Sequence, residues 1–242
     1  MSVRIDLPVP ARALAIGAHP DDIEFGCGAT LAKWARAGCH VHLLVLTDGS
    51  KGSWNADEDL ATLVATRGRE LRDAAAALGA SGVSSLDLID GELTSDRDDQ
   101  ARVCLSIRET RPDVVLGHDP WKRYRLHPDH RHAGELTLDA IVAARDPHFF
   151  PEQPFAPHRP SHVLLFEADR VDHVERVDEE HVDAKIAALL CHRSQWRSTM
   201  GIDDRPEEQQ ATWERGERAV AAADGLRVGA RYAEVFARLD DI

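Results

Sequence analysis

The chain has 242 residues, 43% of them hydrophobic and 29% charged, with a net charge of −13. That length and composition fit one α/β domain with an ample core, read here as a single domain over residues 1–242. The negative balance argues against nucleic acid or an anionic membrane surface as partner.

In chain order, residues 13–17 read as a short buried strand and 25–37 as a helix stopped by Gly38. Residues 40–47 are rich in Val and Leu and read as a second strand. Residues 60–78 form a helical pattern ending at Gly79. A strand over 85–89, a helix over 98–110, a strand over 113–117 and a helix over 129–144 follow. The strands are continuous apolar runs, which suits burial on both faces. Strand–helix alternation of this kind predicts a Rossmann-like α/β three-layer sandwich, its sheet mostly parallel and its helices on both faces. Five prolines between residues 146 and 160 break regular structure and suggest an ordered loop or lid. Residues 163–167 and 174–177 read as further strands, 182–191 and 207–223 as helices, and 200–206 as a loop. Residues 232–236 fit either a strand or a helix.

Cys27, Cys39, Cys104 and Cys191 are far apart and form no C-x-x-C pair, so neither a zinc ribbon nor a disulfide framework is expected. Buried free thiols suit a cytoplasmic setting. The N-terminal residues do not resemble a signal peptide, and no apolar run reaches the ~18 residues of a membrane span.

Chemistry concentrates in two clusters. Ala18-His19-Pro20-Asp21-Asp22 stands directly after the first strand, where open α/β sheets bind ligands. His127-Pro128-Asp129-His130 stands just before a helix. Acids after a proline also suit a plain helix start, and thirteen histidines make an H-x-x-H pair weak by itself. The two clusters together supply imidazole and carboxylate ligands for one ion, with a spare carboxylate as base. They argue for a hydrolase with a single metal ion. Spacing leaves open which Asp binds, and whether His127, His130 or both do so.

At these residues the chain resembles the PIG-L/LmbE family of zinc-dependent N-acetylglucosamine deacetylases. The resemblance runs through AHPDDIEFGCGATLAKW (18–34), LTDGSKG (46–52), RGRELRDAAAALG (67–79), IRETRPDVVLGHDP (107–120), HPDHRHAG (127–134) and HRSQW (192–196). It implies His19, Asp22 and His130 as metal ligands, Asp21 as general base, and a protonated His127 as acid or electrophile beside the reacting carbonyl. It implies Zn²⁺ as the ion, with Fe²⁺, cobalt and nickel as alternatives. Arg67 and Asp90 are implied as contacts to sugar or inositol hydroxyls, with Asp48 and Ser50 near the site edge. Against this, Arg67 could be a helix charge paired with Glu70, and Asp90 a turn residue. His192 fits a structural role better than a catalytic one. Trp121, Tyr124 and the proline-rich stretch are candidates for a sugar-facing rim.

The implied activity is removal of acetyl from an N-acetylglucosamine-type conjugate, a small-molecule partner, with self-association into a homo-oligomer left open. Rival readings are an amidase of the same family acting on a thiol-sugar conjugate, and a metal-binding protein without catalysis. A nucleotide-binding reading rests on Gly26 and Gly28, but Leu31 stands where a G-x-G-x-x-G needs its third glycine.

Overall fold

The computed structural model describes residues 3–240 and 242. Its eight strands are β1 (Arg4–Ile5), β2 (Arg12–Gly17), β3 (His40–Thr47), β4 (Gly82–Leu88), β5 (Val114–His118), β6 (His162–Phe166), β7 (His173–Val177) and β8 (Tyr232–Asp240). The helices are α1 (Asp22–Arg36), α2 (Leu60–Leu78), α3 (Arg97–Thr110), α4 (Pro128–Arg145), α5 (Glu179–Cys191) and α6 (Pro206–Gly225). The strands form one sheet in the order β1-β7-β8-β6-β5-β2-β3-β4. Only β8 runs against its neighbours, pairing antiparallel with both β6 and β7.

Alternate residues of the central strands point to opposite faces, which sorts them into two cores. Ala13, Ala15, Val41, Leu43, Val45 and Leu116 pack against Leu31 and Trp34 of α1 and Leu71 and Leu78 of α2. Leu14, Ile16, Leu44, Leu46 and Val115 pack against Val103 and Ile107 of α3 and Leu136 and Ile141 of α4. Residues at both sets of positions are apolar, so the strands read as unbroken runs. The expected three layers and mostly parallel sheet are present.

Two boundaries differ from expectation, one open assignment is settled, and one region had no expectation. Helix α1 begins at Asp22, three residues before the expected start, and it is broken at Cys27 (φ −153°, ψ 18°). Strand β4 begins at Gly82 and stops before Ile89, which is exposed. The C-terminal segment is a strand, because two flanking strands offer it backbone partners that no local signal reveals. A turn of 3₁₀ helix at Arg193–Gln195 and a π-helical turn at Trp196–Met200 had no sequence signature.

The proline-rich 146–160 segment is not a lid. It follows the far end of α4, at the end of the sheet opposite the C-terminal ends of β2 and β5. There His158 Nε2 lies 2.7 Å from the Pro112 carbonyl, and the buried Arg108 guanidinium donates to the carbonyls of Phe149 (2.8 Å) and Phe150 (3.1 Å).

The glycines of α1 serve packing rather than phosphate binding. A Cβ on Gly26 would lie 2.4 Å from the Phe166 ring, and one on Gly28 would lie 3.2 Å from Lys185 Cγ. Gly26→Ala is expected to lower stability by about 1–3 kcal/mol through overpacking, read as a lower midpoint in denaturant unfolding. Gly216→Ala, with open space around its Cβ position, is the control expected to be neutral or stabilising. Among the described residues no helix is long and apolar enough to cross a membrane.

Candidate active site

Strand β2 is flanked by β3 on one side and β5 on the other. The chain leaves β2 toward β3 and β4, then crosses back to β5, so the sheet changes direction at β2. Crevices form at such points beyond the carboxyl ends of the strands. His19 follows β2, His118 ends β5, Asp90 follows β4 and Glu167 follows β6. Helix α4 adds His127 as its N-cap, then Pro128 and Asp129 in the first turn. Proline suits that position, and an acid there complements the helix dipole.

Asp22 is the hub. Its Oδ2 accepts the His19 backbone N–H at 2.7 Å and lies 3.2 Å from His19 Nδ1 and 3.3 Å from His118 Nε2. Its Oδ1 lies 3.3 Å from His130 Nε2. Burial opposes its charge, but His118 and His130 hold the carboxyl well below the usual range. His19 Nε2 lies 3.1 Å from Asp90 Oδ1 and 3.2 Å from Asp129 Oδ2. Burial alone would depress His19, yet Asp129, Asp22 and Asp90 push it up to about 12. The pocket therefore demands positive charge.

His19, Asp22 and His130 offer donor atoms that all lie within 4.8 Å of one another. Donors about 2.0–2.1 Å from a tetrahedral ion stand about 3.3 Å apart, and the Asp22 separations match that spacing. Two imidazoles and a carboxylate suit a borderline divalent cation. A buried oxygen, Asp129 Oδ1, also lacks a protein partner. These residues fit a metal ion.

Asp21 faces away from this hub. Its backbone sits at φ 110°, ψ −26°, a region that non-glycine residues seldom occupy and that clusters at functional sites. Burial pushes its carboxyl up to about 7, against the pull of Arg67 and with help from Asp22. His127 is exposed at the mouth, its ring stacked on His130 with centroids 5.0 Å apart and edge-on to His19 at 4.6 Å. Burial, then the positive charge of His19 and His130, pushes it below its ordinary value. Both effects favour the neutral form of this imidazole.

Residues 14–141 match the family model described as PIG-L: GlcNAc-PI de-N-acetylase. The chain belongs to that family. A diacetylchitobiose deacetylase of Thermococcus kodakarensis is 33% identical over 226 residues, spanning 92% of this chain and 81% of the relative. A 1D-myo-inositol 2-acetamido-2-deoxy-alpha-D-glucopyranoside deacetylase of Thermomonospora curvata is 30% identical over 239 residues, spanning 76% and 80%. The solved N,N'-diacetylchitobiose deacetylase of Pyrococcus horikoshii, in complex with its inhibitor MPG, superposes with a TM-score of 0.84. It is 28% identical and covers 96% of this chain and 84% of that one.

In this PIG-L family member a cleft of about 590 Å³ opens over the cluster, lined by His19, Asp21, Asp22, Arg67, Asp90, His127 and His130 among others. Seven of the nine site residues expected from sequence thus meet in one place, and Asp48 and Ser50 stand outside the lining. Ser50 does not reach the cleft wall; it is buried, with its N–H donating to Asp48 Oδ1 at 2.9 Å. Asp48 Oδ1 also accepts the Asp90 N–H at 3.1 Å, which ties the β3 and β4 loops together.

Arg67 is buried; its two terminal nitrogens are engaged within the protein, while its Nε has no hydrogen-bond partner. Nη1 donates to the Gly49 carbonyl at 2.9 Å and Nη2 to the Pro20 carbonyl at 2.6 Å, while Nη2 stands 3.7 Å from Asp21 Oδ2. Gly49, at φ +67°, lets the loop wrap this guanidinium, since a Cβ there would lie 2.7 Å from it. Arg67 is not paired with Glu70, whose Oε1 and Oε2 accept the Ser194 N–H and hydroxyl. Asp90 Oδ2 accepts the Lys51 N–H at 3.0 Å, and its other oxygen faces His19. His192 is fully buried with Nε2 3.4 Å from Glu24 Oε1. Burial opposes charge there, but Glu24 raises the imidazole above its ordinary value.

The expected rim is elsewhere. Trp121 and Tyr124 are 68% and 87% exposed, and neither lines the cleft. Phe25, Trp54 and Trp213 do.

Sequence reasoning missed two residues of the cluster. His118 closes an apolar strand as His19 nearly does, so strand-end position was the available signal. Asp129 lies inside the second motif; it is fully buried, and its Oδ2 accepts the Gly91 N–H at 2.6 Å.

Proposed function

We propose that this chain is a zinc-dependent hydrolase that removes the acetyl group from an N-acetylglucosamine-type conjugate, releasing acetate and a free amine. The observation that supports this most is the division of labour between adjacent carboxylates. Asp22 sits among three imidazoles at ligand spacing, whereas Asp21 is turned into the cleft beside Arg67. His19, Asp22 and His130 would hold the ion. A divalent ion there supplies a Lewis acid that polarises the acetamide carbonyl and brings the pKa of water toward about 7.

Asp21 takes the proton of the attacking water onto its carboxylate. A carboxyl raised toward neutrality suits both halves of this task, because it can hold the proton and then pass it to the nitrogen as the C–N bond breaks. Arg67 holds the strained Asp21 turn in place through the Pro20 carbonyl. His127 donates an N–H to the carbonyl oxygen as negative charge develops; a neutral imidazole has one N–H to give, and such a donor is worth about 10²–10³ in rate. Asp90 and Asp129 keep His19 oriented, as carboxylates beside metal-binding imidazoles commonly do.

The test is acetate release from N-acetylglucosamine, N,N'-diacetylchitobiose and an N-acetylglucosaminyl inositol. EDTA is expected to abolish release and zinc to restore it, with iron, cobalt and nickel as comparison ions. Metal binding without acetate from any of these compounds would leave the non-catalytic reading in its place.

A further inference from the structure

Beyond the reacting centre, the cleft wall carries a feature outside the segment matched by the family model. Trp213 and Glu217 lie four residues apart on α6, hence on one helix face, and both line the cleft. Phe25 stands against Trp213 with ring centroids 6.4 Å apart at 86°. An aromatic face beside a carboxylate matches a pyranose ring, whose C–H face is apolar and whose edge offers hydroxyl donors.

The charge of the wall bears on which ring can lie there. Asp90 and Glu217 add to the Asp21–Asp22 pair; Glu167 also lines the cleft but is paired with Arg125, and Lys185, the cation near Glu217, is bonded to the Phe25 carbonyl and Glu234. The cations opposite are engaged: Lys51 Nζ reaches the Asp90 carbonyl and Glu92 Oε1, and Arg67 is bonded to the Pro20 and Gly49 carbonyls. A carboxylate accepts hydrogen bonds and donates none, so Glu217 attracts hydroxyl or ammonium and repels phosphate.

We propose that Trp213 and Glu217 form a second sugar subsite that takes an uncharged or amine-bearing pyranose next to the N-acetylated ring and turns away a phosphorylated one. This rests on the deacetylase reading and narrows it. Within a family described by GlcNAc-PI, in which a phosphodiester joins the inositol to its lipid, this chain is assigned to glycosides without phosphate.

The test compares kcat/KM for acetate release from N,N'-diacetylchitobiose, N-acetylglucosamine and N-acetylglucosamine 1-phosphate. The expected order is disaccharide above monosaccharide above phosphate, each step about tenfold. Trp213→Leu keeps apolar packing and removes the aromatic face; it is expected to shrink the disaccharide advantage at least threefold, through KM. Glu217→Gln is expected to narrow the discrimination against the phosphate by a similar factor, and added salt to narrow it in the unmodified enzyme. Thermal melting of both variants checks folding, and calorimetric titration of the disaccharide into metal-loaded Asp21→Asn reads the subsite without turnover. Equal turnover of phosphate and monosaccharide, or ratios unmoved in both folded variants, would overturn the subsite while leaving the deacetylase standing. Absence of acetate from all three sugars would overturn the reading beneath it, and the subsite with it.

Discussion

Asp21→Asn is expected to lower kcat by about 10²–10⁴-fold while the metal content per chain stays unchanged. Asp21 sits at φ 110°, where Asn is tolerated about as well as Asp and Ala is not. Asn also keeps the shape and a hydrogen-bond acceptor, so the exchange removes proton transfer and little else. The negative charge lost beside Arg67 is offset by removal of a buried carboxyl that burial already pushes up to about 7. The folded structure is therefore expected to survive, with a melting temperature close to that of the unmodified protein. Single-turnover acetate release together with metal analysis by mass spectrometry reads both quantities. Loss of the metal along with activity would make Asp21 a ligand instead of a base.

Asp22→Ala gives the opposite pattern: the metal is lost, and activity with it. Partners that merely orient metal ligands are worth about 10–100-fold in affinity, so removing a ligand is expected to cost more than about 100-fold. The metal-free variant is also expected to melt earlier. Asp22 Oδ2 accepts the buried His19 N–H, and its two oxygens lie against three imidazoles. An orphaned buried donor costs about 1–3 kcal/mol, and the imidazoles lose their shared counter-charge. Asp22→Asn separates the two effects, since its amide oxygen can still accept the His19 N–H. It is expected to recover part of the melting temperature and little of the metal affinity. Titration calorimetry with zinc and thermal unfolding without it measure the two quantities. Full metal affinity in either variant would sink the ligand assignment.

The layered fold was legible because its cause is local and periodic. Strands buried on both faces must be apolar where they are buried, and residues 43–46 show that in four consecutive apolar positions, between helical patterns on either side. The final strand was not legible, since β8 exists because β6 and β7 present unpaired edges to it. The proline-rich stretch misled for a related reason. Its composition announces a loop, but only the path of α4 places that loop at the end of the sheet away from the cleft. The aromatic rim failed similarly: Trp121 is close to the second motif in sequence, whereas Trp213, which reaches the cleft from α6, stands more than eighty residues beyond His130.

The sequence by itself determined the sheet class and the residues able to carry the chemistry, because strand burial and side-chain type are properties of short segments. The tertiary structure decided how those residues divide the work. It set Asp22 among imidazoles from the turn after β2, from β5 and from α4, and turned Asp21 away through a strained backbone angle. It turned Arg67 inward onto two carbonyls and brought α6 to the cleft wall. Distances between segments remote in sequence, and the charge that each group feels from the others, exist only once the chain is folded.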